Sequence, residues 1–371
     1  MNATPGRVAP LAATVSVCVL SLFPAWPGTA WAAGEEDVPP AACVRSFDAH
    51  AYQEAQECFA GQVAKQPGDA PALSYLGRSY FERRQPMSAI DWLQRAVARA
   101  PGRSDFHDWL GKAYGIAAQR AAVVRQLGLA VKARQEFERA VELDPANADA
   151  LEDLIEFQVQ APAFLGGSLA KASVHAAELE RRDPVRGRLA RAEILRRRPP
   201  GPPGPAGPPG PAGSAGSAGP AGSAGPAGSG GPTGTVAAER ELRAAAADFP
   251  GDPRPRLALA AVYEQAGRLE QAGDEIEAAL RLDPDDPDAH AALARVAAAS
   301  SRRLARAEEL LTRDLQRLPP GDDAALADCH YALGALLERR GDRAQARDHY
   351  QEALRRDPGL AAAHAALRRL R

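Results

Sequence analysis

Along the stretch PRPRLALAAVYEQAGRLEQAGDEIEAALRLDPDD, from Pro253 to Asp286, apolar positions follow a helical period in two blocks. Leu257, Leu259, Val262 and Tyr263 form the first block. Gly267 interrupts it, and Ala272, Ile276, Ala279 and Leu280 form the second, which Asp283-Pro284 stops. The pattern predicts two short amphipathic helices joined by a tight turn. A second copy begins at Ala327, where Leu333-Gly334, Leu337, Gly341, Ala346, Tyr350, Ala353 and Pro358 recur at matching offsets. One hairpin alone leaves its apolar face in water, so the copies must stack into a superhelix, and the fold is all-α.

The period of 34 residues and the residues that carry it resemble the tetratricopeptide repeat. The resemblance implies an α-solenoid of about eight helical hairpins whose first helices line a groove, and a role in binding rather than reaction. Earlier copies are read at Tyr52, Ala55, Phe59 and Pro67, then at Leu73, Leu76-Gly77, Tyr80, Ala89, Leu93, Ala96 and Pro101. Small residues such as Gly77 and Ala89 are needed where two helices approach closely. The third copy has His107, Leu110-Gly111 and Tyr114, then Ala133, Phe137, Ala140 and Pro145. Tyr114 and Ala133 are 19 residues apart, against 9 for Tyr80 and Ala89, so ten residues are extra. With no proline among them, both helices are expected to be longer by roughly five residues, or ~7 Å each.

The fourth copy carries Leu151, Leu154, Ala172, Leu179 and Pro184, with an enlarged turn, QAPAFLGGSLAKA, marked by Pro162 and Gly166-Gly167. Ser168 suits the cap of the helix that follows. A long hairpin followed by such a turn resembles one group of bacterial exported repeat proteins. A seventh copy holds His290, Leu293-Ala294, Ala307, Leu311 and Pro319. A last helix, Ala361 to Arg371, puts Arg368, Arg369 and Arg371 outward, as a terminal cap requires.

The first 32 residues read as an export signal: Arg7, an apolar run from Leu11 to Phe23, and the small residues of Ala30-Trp31-Ala32. Cleavage near Ala32 would leave a mature chain in the periplasm or outside the cell, without a membrane span. In an oxidising compartment Cys43 and Cys58 can face each other across the first hairpin and form a disulfide, worth about 3 kcal/mol. Both also fit as small buried apolar side chains. Cys329 has no evident partner.

The remaining chain divides into an N-terminal array over 36–198, a low-complexity stretch over 199–235 and a C-terminal array over 236–371. Glycine falls at every third residue from Gly201 to Gly234, often followed by proline, which resembles collagen. Ala238, Leu242, Ala245 and Pro250 then hold the positions of a second helix. The stretch thus falls between the two helices of the fifth repeat, the first read at Arg188 to Arg198. A triple helix would hold its ends on the order of 100 Å apart, whereas helices of one hairpin pack within about 10 Å. A disordered loop in a monomer is favoured over a trimer-forming stalk.

A formal net charge of -2, with 25% charged residues, suggests neither nucleic acid nor an anionic membrane as partner. No nucleophile elbow, zinc-protease helix or Ser, His and Asp motif occurs, and no cofactor or metal site is expected. His107, His290, His330 and His364 share one repeat position and are read as packing between hairpins. The candidate partner-binding residues lie in two places. Tyr75, Arg78, Trp109 and Lys112, followed by Glu152, Asp153 and Glu156, would give the groove a basic, aromatic stretch and then an acidic one. Val123, Val124 and Leu127, with Ile116 and Leu129, would give the tip of the third hairpin an apolar surface. Either set also fits an ordinary role, as a solvated face or as packing on the next repeat. The expected function is that of an exported, non-enzymatic adaptor that holds a protein or peptide. The alternative is a structural surface protein that trimerises through its Gly-X-Y segment.

Overall fold

The computed structural model describes residues 39–198 and 233–370. Among these residues there are seventeen α-helices and no strand. The first two hairpins are α1 (Ala41–Asp48) with α2 (Tyr52–Lys65), and α3 (Ala70–Glu82) with α4 (Pro86–Arg99). The third and fourth pair α5 (Ser104–Arg120) with α6 (Val123–Leu143), and α7 (Ala148–Gln160) with α8 (Leu169–Arg182). The fifth and sixth are α9 (Pro184–Arg197) with α10 (Thr233–Asp248), and α11 (Arg254–Gln265) with α12 (Leu269–Leu280). The last two are α13 (Pro287–Ser300) with α14 (Leu304–Arg317), and α15 (Asp323–Arg340) with α16 (Arg343–Arg356); α17 (Ala361–Arg369) closes the series. Each helix packs on its neighbours in sequence.

Local chemistry sets the helix starts. Asp69, Asn147, Asp286, Asp322 and Asp342 each accept a backbone N–H from the first turn of the helix they precede, satisfying donors that have no partner inside the helix. Inside the hairpins, close approach decides the residue type. A Cβ at Gly77 would fall 2.6 Å from Leu93 Cγ, and one at Gly111 would fall 2.6 Å from the Phe137 ring. Ala89, Ala133, Ala272, Ala307 and Ala346 sit at zero exposure on the facing helices. Apolar side chains fill what remains, and α17 lays Ala366 and Leu370 against Tyr350 to cover the last of them.

The structure departs from the sequence expectations in three places. The extra residues of the third hairpin are shared unevenly: α5 has 17 residues and α6 has 21, against 13 in α3 and 14 in α4. The reversal lies at Ala121 and Ala122, both in extended backbone, and neither residue type signals a turn. The first helix of the fifth hairpin begins at Pro184 rather than Arg188, because Asp183 ends α8 and caps α9 by accepting from Arg186 N–H at 3.0 Å. Its second helix begins at Thr233, within the glycine-spaced run. A Cβ at Gly234 would fall 2.5 Å from the Leu195 carbonyl oxygen, so α10 starts against the end of α9. The remainder of that run and the export signal lie outside the described residues.

Cys43 and Cys58 are bonded to each other, with their Cα atoms 5.4 Å apart. A further contact joins residues distant in sequence. The turn between α3 and α4 brings the Arg84 guanidinium to the carboxylates of Asp328 on α15 and Asp357 after α16, the latter at 2.9 Å. The stack therefore curls until its second hairpin touches its eighth. Arg84 holds a φ of 58°, and Arg120 donates to its carbonyl oxygen at 2.8 Å, which fixes the turn from the third hairpin.

Candidate partner-binding site

Helix α5 projects Trp109, Lys112 and Ile116 along one stripe, at the three- and four-residue steps that share a helical face. Helix α6 runs beside it and contributes Leu127, Ala130 and Phe137. Helix α7 brings Asp153, Glu156 and Phe157, and the turn after it supplies Pro162, Phe164 and Leu165. Together they enclose an open cavity of about 730 Å³. It exists because the third hairpin is long and because the turn folds back over it. That turn is held by Gly167 N–H donating to the Pro162 carbonyl at 3.1 Å and Ser168 N–H to the Gln158 carbonyl at 2.8 Å. Gly166 sits at a φ of 102°, which favours glycine, and Ser168 caps α8 by accepting from Lys171 N–H. Phe164 is left 78% exposed and Leu127 45% exposed, and both line the cavity.

The polar side of the cavity is acidic. Lys112 Nζ lies 2.8 Å from Asp108 and 3.0 Å from Asp153, so one ammonium serves two carboxylates. Asp108 is buried, and its Oδ1 has no hydrogen-bond partner among the described residues. Burial works against the Lys112 charge, but Asp108 and Asp153 hold its ammonium above the ordinary lysine value. Asp153 is pushed up to about 7, first by burial and then by the charge of Asp108, with Lys112 pulling the other way. Glu156 is exposed and accepts from Gln160 Nε2 at 2.7 Å.

Such a carboxyl binds its proton more tightly in the folded chain than in the unfolded one. The stability this gives is complete below the ordinary aspartate value of 3.8 and is lost as pH rises through about 7. Asp153→Asn is therefore expected to flatten the pH dependence of unfolding in that window. Urea unfolding of both chains at about pH 5 and about pH 8 checks it, the difference in slope being at most about 1.4 kcal/mol per pH unit for one proton. Parallel pH profiles would reject the assignment.

Trp109, Lys112, Glu156 and Leu127, among the residues read from the sequence, thus meet in one cavity. Tyr75 and Arg78 form a neighbouring cluster. The Arg78 guanidinium lies 4.4 Å from the Tyr75 ring centre, 4.6 Å from that of Trp109 and 4.7 Å from that of Phe47. This places the cation among three aromatic faces rather than in open solvent. Glu152 is engaged by Arg186 of α9, whose Nε lies 2.7 Å away. Val123 is the first residue of α6. Val124, at 90% exposure, lines a separate hollow of about 470 Å³ with Pro86, Met87 and Leu129. Phe164, Phe81 and Gln126 also line the main cavity and were not among the sequence candidates. The signal available for Phe164 was an aromatic residue inside a turn bounded by Pro162 and two glycines.

The four equivalent histidines differ. In His107, His290 and His364, Nε2 faces the carbonyl of a proline six residues earlier: Pro101, Pro284 and Pro358, at 3.0 to 3.1 Å. His107 and His290 also set Nδ1 against Glu136 and Asp314 on the facing helix. His330 instead meets His349, Nδ1 to Nδ1 at 3.1 Å, and burial holds both below the ordinary histidine value. Among the described residues no helix is long and apolar enough to cross a membrane.

Three tetratricopeptide repeat family models match this chain, over residues 47–104, 235–296 and 327–360. The chain is 30% identical over 254 residues to cellulose synthase operon protein C of Xanthomonas axonopodis pv. citri. That match takes in 66% of this chain but 16% of the relative, so the chain spans about a sixth of that protein's length. Among solved structures it is similar to yeast Tom70, with a TM-score of 0.56 at 13% identity, over 90% of this chain and 60% of that one. At this identity the likeness is one of fold. With helices that pair at the matched positions and stack in sequence, the described residues form an all-helical stack that carries tetratricopeptide repeats over 47–104, 235–296 and 327–360.

Proposed function

We propose that the protein is an exported, non-enzymatic adaptor that binds another protein at the cavity between its third and fourth hairpins. The observation that carries this reading is the cavity of about 730 Å³, open to solvent and lined by the exposed side chains of Phe164 and Leu127. Repeat stacks of this type bind protein partners, and a pocket that buries apolar side chains and keeps a few polar ones is what a partner segment needs. A bonded Cys43–Cys58 pair suits an oxidising compartment and supports export. The contact of α10 with the end of α9 supports a monomer, since a triple helix between them would hold its ends on the order of 100 Å apart. The likeness to a cellulose synthase operon protein makes the products of such an operon the first partners to test.

Affinity capture from the native cell envelope tests the reading, using the chain from Ala33 onward beside the same chain carrying Phe164→Glu and Leu127→Glu. A partner held by the first and lost by the second is the expected result. A partner retained by both would move the site elsewhere on the stack, and substrate turnover by the purified chain alone would end the non-enzymatic reading.

A further inference from the structure

We infer that the cavity takes a polypeptide segment presenting an apolar side chain next to a lysine or arginine. This rests on the adaptor reading above and adds the chemistry of the partner. The apolar half of the requirement comes from the walls. Leu127 and Phe164 stand exposed at the opening, with Phe157 half-buried between α6 and the turn. Such surface is covered at a gain in free energy when an apolar side chain enters, because water is released from both.

The charged half comes from the ionisable side chains of α5 and α7 that line the cavity. Asp153 and Glu156 line the cavity with Lys112, and Lys112 is already committed to Asp108 and Asp153 at 2.8 and 3.0 Å. Lys112 is thus shared between Asp108 and Asp153, and Glu156 is a further carboxylate lining the same cavity. Trp109 cannot recruit a further cation to its ring without displacing one, since Arg78 and Lys112 occupy it at 4.6 and 4.7 Å. The position left for an incoming positive charge is beside Glu156, whose side chain is exposed and whose hydrogen bond comes from the neutral Gln160. An acidic segment would meet these carboxylates with like charge, and a purely apolar one would leave Glu156 desolvated without compensation.

The test is selection of a random dodecapeptide library on the full chain, followed by fluorescence anisotropy with a labelled peptide of the selected sequence. Selected peptides are expected to pair Leu, Ile, Phe or Trp with a nearby Lys or Arg. Glu156→Lys is expected to weaken that peptide by tenfold or more, and a peptide with its basic residue changed to Glu is expected to regain affinity on the Glu156→Lys chain. Phe164→Ala, a truncation of an exposed side chain, is expected to weaken both peptides about equally while leaving the circular dichroism unchanged. Selection of acidic or uncharged sequences, no selection at all, or binding indifferent to Glu156→Lys would overturn the inference. The adaptor reading fails separately, when envelope capture is unchanged by Phe164→Glu with Leu127→Glu.

Discussion

Gly167→Ala is expected to destabilise the fourth hairpin by about 3 kcal/mol and to abolish binding at the adjoining cavity. A Cβ at this position would lie 1.7 Å from the Ala161 carbonyl oxygen and 2.6 Å from its carbonyl carbon. Both are backbone atoms, so no rotamer change relieves the overlap and the turn itself must open. Opening it costs the Gly167 hydrogen bond to Pro162 and the Ser168 hydrogen bond to Gln158, and it displaces Phe164 from the rim. Gly128→Ala is the matched control. It lies on α6 with nothing within 4 Å of the added Cβ, and alanine is the better helix former by up to about 1 kcal/mol. Urea unfolding followed by circular dichroism measures both. Equal stability of the two variants would show that the turn is not held as described.

Loss of the Cys43–Cys58 bond is the second large effect. The bond spans 15 residues of sequence, and closing a loop of that size restricts the unfolded chain by about 3 kcal/mol in the chain-entropy treatment. The first hairpin depends on it more than an interior one would. Helix α1 has only 8 residues, too few to persist without packing, and among the described residues it packs mainly on α2. Cys43→Ala with Cys58→Ala is expected to lower the midpoint of unfolding and to raise hydrogen exchange across residues 41–65 first. Uniform exchange across all hairpins would contradict a local role. Cys329 does not complicate the experiment. It is buried, donates to the Leu311 carbonyl at 3.2 Å, and its thiol is pushed up to about 12, first by burial and then by the charge of Asp314. A thiol held so far above neutrality is a poor nucleophile for disulfide exchange.

What the sequence disclosed was whatever depends on near neighbours. The pairings of Gly77 with Leu93, Gly111 with Phe137 and Gly334 with Tyr350 are local to one hairpin, so each was written into a short repeat of small and large residues. The length of the third hairpin was equally legible, but not its division, because Ala121 and Ala122 reverse the chain without glycine or proline. Asp183 hid a boundary by serving two helices at once. The cavity was legible only in part. Trp109, Lys112 and Glu156 are legible as exposed groove positions and Leu127 as part of the apolar tip of the third hairpin, and the four come from three helices. That they converge depends on how closely α7 and its turn approach α5 and α6, which no spacing encodes. Arg78 shows the limit from the other side: read as a groove cation, it lies among the rings of Phe47, Tyr75 and Trp109, two of which come from other hairpins.

The Arg84 contact with Asp328 and Asp357 has a consequence for cooperativity. A stack in which each hairpin touches only its neighbours frays independently at its two ends, and its stability is a sum of nearest-neighbour contributions. A bond between residues 244 and 273 positions apart adds one coupling that skips along this series. Fraying of the eighth hairpin releases Arg84, and loosening of the second removes the cation that offsets Asp328 and Asp357. The side chains are partly exposed, so the coupling is worth up to about 1 kcal/mol and is screened over about 8 Å at physiological ionic strength. Raising salt is therefore expected to weaken this link and to let the second and eighth hairpins loosen more independently of each other.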